Sequence, residues 1–259
     1  MKFGICYKPG REESAKIVRK VVEFEGEIVL FTTPEECEDI SDLDMMIIVG
    51  GDGTVIRCSK CVVDKAPIVG IKAGRLGFLS SYTLDSLEDF VEDLKENSFI
   101  VDERWFIDVK TSEGKFIALN DAVFQKDVDG RMLEIEVIAG GSSPMWFFSD
   151  GIIVSTPTGS TAYNLSAGGP VVHPKSETLQ ITPLLPHFLF NRGIVVPADH
   201  GIHVVLDEPA NLLIDGKKVA YVKKALISKS DVAVKILRSP NYDFFRVVKE
   251  RLGYGRRLI

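Results

Sequence analysis

Sulfur and side-chain amides are scarce in this chain. Its 259 residues include four cysteines, Cys6, Cys37, Cys58 and Cys61, and two glutamines, Gln125 and Gln180. So few cysteines over this length do not make a disulfide scaffold, and a reducing cytoplasm is the expected compartment. Few amide side chains hint at a heat-adapted source. Histidine is sparse too. His173, His187, His200 and His203 are scattered, and none has the spacing of a zinc ligand set or a catalytic triad. There is no apolar run of about 18 residues, so no transmembrane helix is expected. The chain enters a strand-like pattern at once, with no signal-peptide apolar region. An excess of positive charge is missing as well. Against 37 Asp and Glu stand 31 Lys and Arg, a net charge of -6. Neither nucleic acid nor an anionic membrane is therefore an expected partner.

What is present is ample apolar material. A hydrophobic content of 45% at this length can fill one large core or two smaller ones. The first part alternates strand and helix patterns. Strands are expected over 2–7, 27–31, 45–49 and 67–71, and helices over 11–25, 55–63 and 85–96. The run 45–49 is continuously apolar, as in a parallel strand buried on both faces. Residues Ile17, Val18, Val21, Val22 and Phe24 give the first helix its apolar spacing. Alternation of this kind implies an α/β layer with a parallel sheet. After about residue 100, strand follows strand: 100–110, 115–125, 132–139, 145–149, 193–196, 203–206, 211–214, 219–222 and 232–237. Such a succession reads as a β-rich, sandwich-like half. The stretch 242–252 is helical again and is expected to pack on the first domain. The expected organisation is an α/β domain over 1–100, a β-rich domain over 101–240 and a returning C-terminal helix over 241–259.

Three segments carry chemistry. Gly50-Gly51-Asp52-Gly53-Thr54 follows a buried strand and precedes a helix. Glycines there let the backbone turn tightly and approach a ligand, and amides at the helix start suit a phosphate. An aspartate in such a turn adds negative charge beside another anion. It makes sense as the acceptor of a proton from an attacking hydroxyl, or as a metal ligand; a plain cap is the structural alternative. The turn is neither GxGxxG nor a P-loop. A second glycine-rich turn, 70–79, follows the next strand. The third segment, 150–170, is dense in hydroxyls and glycines, which suits contacts to phosphates, ribose or a base edge.

In order, these read GGDGT at 50–54, GIKAGRLGFL at 70–79, ALND at 118–121 and DGIIVSTPTGSTAYNLSAGGP at 150–170. That order resembles the NAD kinase family, and the similarity runs on through Asp215-Gly216 to FFRVVKERL at 244–252. The resemblance implies an NAD kinase/diacylglycerol kinase-like fold: an α/β N-terminal domain with a parallel sheet, a β-rich C-terminal domain and a site between them. It implies transfer of a phosphoryl group from ATP, other nucleotides or polyphosphate to the 2′-hydroxyl of the adenosine ribose of NAD. A divalent cation, Mg2+ or Mn2+, is implied without assigned ligands. So is a cytoplasmic homo-oligomer, dimer or tetramer.

On the matching positions, the resemblance makes Asp52 the catalytic aspartate, with Gly50, Gly51, Gly53 and Thr54 shaping the phosphate turn. Arg57 matches a dinucleotide contact, and Asn120 and Asp121 match the pair that holds adenine and a ribose. Arg131 matches a basic contact and Asp150 a residue at the nicotinamide end. Thr158, Thr161, Ala162, Tyr163 and Ser166 lie in the stretch around the nucleotide. Two positions depart from the pattern. Lys72 stands where the family usually has Asn, adding charge near the phosphates. Lys217 follows Asp215-Gly216 where Gln is common. Cys58-Ser59-Lys60-Cys61 has no second pair and reads as two thiols on a helix, and 11–20 reads as a solvated helical face. Two other functions fit parts of the pattern: a lipid kinase of the same superfamily, and a dinucleotide sensor without catalysis.

Overall fold

The computed structural model describes the chain apart from residues 38, 39, 41, 75, 189 and 256–259. It divides into two compact units: Met1–Arg104 together with Val232–Ile259, and Trp105–Asp231. The end of the last strand thus belongs with the first unit, along with the C-terminal helix.

The first unit opens with β1 (Lys2–Tyr7), α1 (Glu12–Val22), β2 (Glu27–Thr32), β3 (Met45–Val49), α2 (Asp52–Ser59), β4 (Ile68–Lys72), β5 (Tyr82–Thr83) and α3 (Leu87–Glu96). Its sheet runs β2-β1-β3-β4 with every pair parallel. All five residues of β3 are buried, which explains its unbroken apolar sequence. Phe3, Ile5, Val18, Val22, Ile47, Val69, Ile71 and Phe90 anchor the core. Each such side chain contributes about 1.5–3 kcal/mol by leaving water. Helix α1 is shorter than its apolar pattern. Its core face is Ala15, Val18 and Val22, while Phe24 lies past its end and is 88% exposed. Helix α2 begins at Asp52, three residues earlier than expected, because Gly51 is already its N-cap.

The cysteines depart from expectation. Cys6 on β1 and Cys58 on α2 form a disulfide, and both are fully buried. The packing of α2 on the sheet brings together two residues 52 positions apart, a pairing invisible in the spacing. Cys37 and Cys61 are free thiols.

Strand β6 (Ile100–Thr111) leads into the second unit. There follow β7 (Gly114–Ala118), β8 (Asp121–Gln125), β9 (Leu133–Ala139), β10 (Met145–Ser149), β11 (Gly151–Ser155), the one-turn α4 (Tyr163–Ser166), β12 (Thr178–Leu184), β13 (Ile194–Pro197), β14 (Ile202–Ile214) and β15 (Lys217–Arg238). Neighbours are antiparallel in the order β13-β12-β11-β8-β14-β15, and β9 joins β14 and β10. The expected strand 115–125 is two strands, broken at Leu119-Asn120. The segments 203–206 and 211–214 are one strand, with a register shift between Val205 and Ala210. Likewise 219–222 and 232–237 are parts of β15. Strand β11 is fully buried although its sequence opens the polar block. The chain ends in α5 (Phe244–Leu252), capped by Asp243, which accepts from the amide of Phe245.

Behind the first unit's glycine turns lies a buried ionic group. Arg104 donates to Asp102 through Nε at 2.8 Å and Nη2 at 2.7 Å, and Arg238 donates Nε at 2.9 Å. Burial alone would raise the Asp102 carboxyl; the guanidiniums of Arg104 and Arg238 outweigh it and hold it below the usual range. A carboxylate depressed in the folded state stabilises fully above its unfolded pKa, about 3.9, and that stability is lost as pH falls toward the folded value. Urea midpoints should therefore drop steeply below about pH 4. Asp102→Asn should be less stable at neutral pH and should show a shallower acid limb.

Candidate functional site

The first candidate centre sits at the carboxyl ends of β3 and β4, where ligands bind in open parallel sheets. Gly50 donates its amide to Ile71 O at 3.0 Å, and the amides of Thr54 and Val55 turn back to Gly51 O at 2.8 and 3.2 Å. A Cβ on Gly50 would stand 2.5 Å from Thr54 Oγ1, so the turn has no room for a side chain there. Asp52 occupies the first position of α2, where the helix dipole favours a carboxylate. Two backbone amides of the second glycine turn hold it: Phe78 donates to Oδ2 at 2.9 Å and Leu79 to Oδ1 at 3.2 Å. A carboxylate has about four acceptor positions, so lone pairs remain for a hydroxyl donor.

Beside this turn lies a cleft of about 160 Å3, lined by Lys8, Arg11, Val49, Gly50, Gly51, Lys72 and Ala73. Three cations and two glycine backbones make it suitable for anions. Lys72 was expected there from its place in the second turn. Arg11, at the N-cap of α1, is exposed as expected and also lines the cleft. Arg57 is on the exposed side of α2, with Nη1 3.4 Å from Glu35 Oε1.

The second candidate centre belongs to the second unit. Asn120 and Asp121 lie at the start of β8 and are 8% and 3% exposed. Their backbone is held from several directions. Asp215 accepts from the amides of Leu119, Asn120 and Asp121 at 3.1, 2.7 and 3.3 Å, and returns its own amide to Asp121 O at 3.1 Å. Thr156 donates its hydroxyl to Leu119 O at 2.6 Å and its amide to Asn120 O at 2.8 Å. Among the described residues, the Asn120 side-chain amide has no hydrogen-bond partner within the chain. Asp215 and Gly216 both have positive φ, +50° and +80°, in the two-residue turn from β14 to β15. Asp-Gly is the sequence such a hairpin demands.

The hydroxyl-rich block divides its labour. Ser155, Thr156 and Ser160 are fully buried and hydrogen-bond internally: Ser155 to Asn120 O at 3.2 Å, Ser160 to Pro157 O at 2.7 Å. Asn164 is buried as well, donating to Gln180 Oε1 at 2.8 Å. Tyr163 and Ser166 are exposed, and Thr161 and Ala162 partly so, which leaves them on the open side. Thr158 is 8% exposed and lies on the inner side.

Two expected site residues lie apart from this centre. Arg131 makes exposed ion pairs with Asp207 at 3.2 Å and Glu208 at 2.7 Å. Asp150 lies beside Lys126, just past the end of the β8–β11 ladder opposite to Asp121. Five residues along a strand is about 17 Å. There Asp150 lines a separate cavity of about 320 Å3 with Lys126, Asp127, Asn211 and Lys218.

Family models describe residues 8–99 as an ATP-NAD kinase N-terminal domain and residues 119–245 as an ATP-NAD kinase C-terminal domain. The chain belongs to the NAD kinase family. The NAD kinase of Thermotoga neapolitana is 43% identical over 258 residues, covering 100% of both chains, and that of Thermosipho melanesiensis is 38% identical over 257 residues, covering 99% of both. The crystal structure of an NAD kinase from Archaeoglobus fulgidus in complex with ATP superposes with a TM-score of 0.80 at 27% identity, over 98% of each chain. Yeast NADH kinase complexed with NADH shares the fold, with a TM-score of 0.86 at 21% identity over 100% of this chain and 89% of that one.

Two residues outside the family motifs, Lys8 and Arg11, and one within them, Asp215, gain a place in the geometry. Lys8 and Arg11 follow β1 in the short run Lys8-Pro-Gly-Arg11, at the same end of the sheet as the GGDGT turn. Cations in a loop after a parallel strand are the signal that would have found them. The Asp215 carboxylate, in the Asp-Gly turn before Lys217, holds the Asn120-Asp121 backbone.

Proposed function

We propose that this NAD kinase family member transfers the γ-phosphoryl group of ATP to the 2′-hydroxyl of the adenosine ribose of NAD, giving NADP, with Asp52 as general base. The observation that carries this reading is the Asp52 carboxylate, fixed by two amides at the parallel-strand ends beside a cationic cleft. A secondary hydroxyl is a poor nucleophile at neutral pH. A carboxylate in reach accepts its proton as the new P–O bond forms and ADP leaves.

In this reading Gly50, Gly51, Gly53 and Thr54 shape the turn around the donor phosphates, with Lys8, Arg11 and Lys72 as counter-charges. Asn120 and Asp121 hold adenine and a ribose, and Thr158, Thr161, Ala162, Tyr163 and Ser166 border the nucleotide. Arg57 and Arg131 reach a ligand by exchanging their surface carboxylate partners for it. Asp150 lies along the same ladder as Asp121, at a separation one extended dinucleotide can span, and faces its nicotinamide end; the working assembly is a homo-oligomer, dimer or tetramer. Among the described residues, no three His, Cys, Asp or Glu side chains cluster as a metal site. Mg2+ or Mn2+ would be held mainly by donor phosphates and water. The bound cation would offset phosphate charge. A polyphosphate donor suits the same three cations. A cytoplasmic location is compatible with the buried disulfide, since intracellular proteins of heat-adapted organisms carry such bonds.

The test is NADP formation by the purified protein from NAD and a divalent cation, with ATP and polyphosphate in parallel. Turnover with ATP is expected. NAD binding without turnover would favour a sensor, and neither binding nor turnover would turn attention to lipid acceptors. A second expected outcome concerns the clamp. Asp215→Asn keeps the left-handed turn but replaces one acceptor oxygen by a donor and removes the charge. Losing about 1 kcal/mol of hydrogen bonding there should raise KM for NAD roughly fivefold with kcat nearly unchanged. Steady-state kinetics check it.

A further inference from the structure

Arg238 is fully buried, yet the reading above gives it no task. Its Nε donates to Asp102 at 2.9 Å, an acid already bound by Arg104. Two guanidiniums thus share one carboxylate. A buried ionic group is weak evidence for stability, because desolvating each charge is costly. A second cation on one anion is costlier still, so the other group this guanidinium holds points to another purpose.

Nη2, 2.9 Å from Asp102 Oδ2, also donates to Phe78 O at 3.0 Å, while Nη1 is buried with no hydrogen-bond partner among the described residues. Tyr242 Oη donates to the same carbonyl at 3.4 Å, and its ring lies under the guanidinium, 4.3 Å from ring centre to Cζ. Burial pushes the Tyr242 phenol up, against the pull of Arg238 and Arg104, so its proton stays in place to be donated. The Phe78 carbonyl and the Leu79 amide are the two ends of one planar peptide. The Leu79 end donates to Asp52 Oδ1 at 3.2 Å. A chain of hydrogen bonds therefore runs from Arg238 through one peptide group to the carboxylate. Charge at one end polarises the bond at the other. The four charges on this chain, Arg104, Arg238, Asp102 and Asp52, balance when Asp52 is ionised.

We propose that Arg238, assisted by Tyr242, is a positioning residue for the reaction: it locks the Phe78–Leu79 peptide and thereby aims the Asp52 carboxylate at the acceptor hydroxyl. The inference rests on Asp52 being the base. Arg238 itself touches no substrate. Its effect should therefore fall on kcat and leave the binding constants alone.

The experiment measures kcat, KM for NAD and for ATP, and the thermal midpoint for Arg238→Lys, Tyr242→Phe, Asp52→Asn and the pair Arg238→Lys/Asp52→Asn. Lysine keeps the charge but cannot serve Asp102 and Phe78 O together in the fork geometry of a guanidinium. Misaiming the base should lower kcat about 10- to 100-fold in Arg238→Lys, with both KM values nearly unchanged. Tyr242→Phe, which keeps the ring under Arg238, should fold normally and lose kcat by a smaller factor. In the Asp52→Asn background, Arg238→Lys should have no further effect on the residual rate. Should Arg238→Lys fail to fold, Tyr242→Phe decides alone: a lowered kcat at unchanged KM supports the assignment, and an unchanged kcat overturns it. A folded Arg238→Lys with wild-type kcat also overturns it, as does an equal loss in both backgrounds. Turnover retained by Asp52→Asn would instead overturn the base assignment, so the two failures remain distinguishable.

Discussion

Asp52→Asn should lower kcat for NADP formation by about 10²- to 10⁴-fold, the span associated with removing a positioned general base. Binding of NAD, measured separately by calorimetry, should change little. The contrast follows from where the residue stands. Asp52 belongs to the first unit, on α2 beside the cationic cleft, whereas the proposed grip on adenine and ribose rests on Asn120, Asp121 and the 161–166 stretch of the second unit. Asparagine has the size of aspartate but a single acceptor oxygen, so it accepts from either the Phe78 or the Leu79 amide while presenting an NH2 group to the other. That mismatch costs about 1–3 kcal/mol of stability on top of the chemical defect. A modest fall in thermal midpoint is therefore expected alongside the collapse in kcat. Wild-type turnover in the variant would remove Asp52 from the chemistry and leave it a turn residue.

The α/β half was legible because its signals are local. A continuous apolar run at 45–49, short and flanked by turn residues, suits a buried strand, and it is β3. The glycine turn after it marked the site for the same reason: parallel strands place ligands at their carboxyl ends. The limits arise where the deciding partner is remote. Nothing near Ser155, Thr156, Ser160 or Asn164 tells which polar side chains face inward. That depends on Asn120 O, Gln180 and Val172, between 12 and 35 residues away. The same holds for β14 and β15, whose apolar segments read as separate strands because a register shift and long solvated stretches interrupt the alternation. Arg238 lies at the end of a strand in a run that gives no hint of burial. Its role comes from Asp102, 136 residues earlier, and Phe78, 160 residues earlier. The Cys6–Cys58 bond has the same character.

Gly77→Ala should remove most of the activity while leaving the fold intact. The sequence offers three glycines in the second turn, Gly70, Gly74 and Gly77, and no local pattern ranks them. The geometry does. A Cβ on Gly77 would stand 2.0 Å from Asp52 Oδ1, 2.6 Å from Cγ and 2.7 Å from Oδ2. No real Cβ approaches an oxygen so closely, so either the carboxylate swings away or the 77–79 backbone retreats. The first breaks the aim of the base, and the second breaks the two amide bonds that hold it. A displacement of about 1 Å at a reacting group costs on the order of 100-fold in rate, which is the loss of kcat expected here. The strain falls on a side chain that can move, so the thermal midpoint should fall little. Gly70→Ala is the contrasting case. Its Cβ would meet Leu79 O at 2.8 Å and Ser80 Cα at 3.0 Å, which are backbone atoms beside a buried strand and cannot give way cheaply. That variant should lose stability first, by about 1–3 kcal/mol, as overpacked cores do. Thermal melts and kcat measured on both variants separate the two mechanisms. A Gly77→Ala enzyme with wild-type kcat would show that the Asp52 carboxylate does not need its observed position for catalysis.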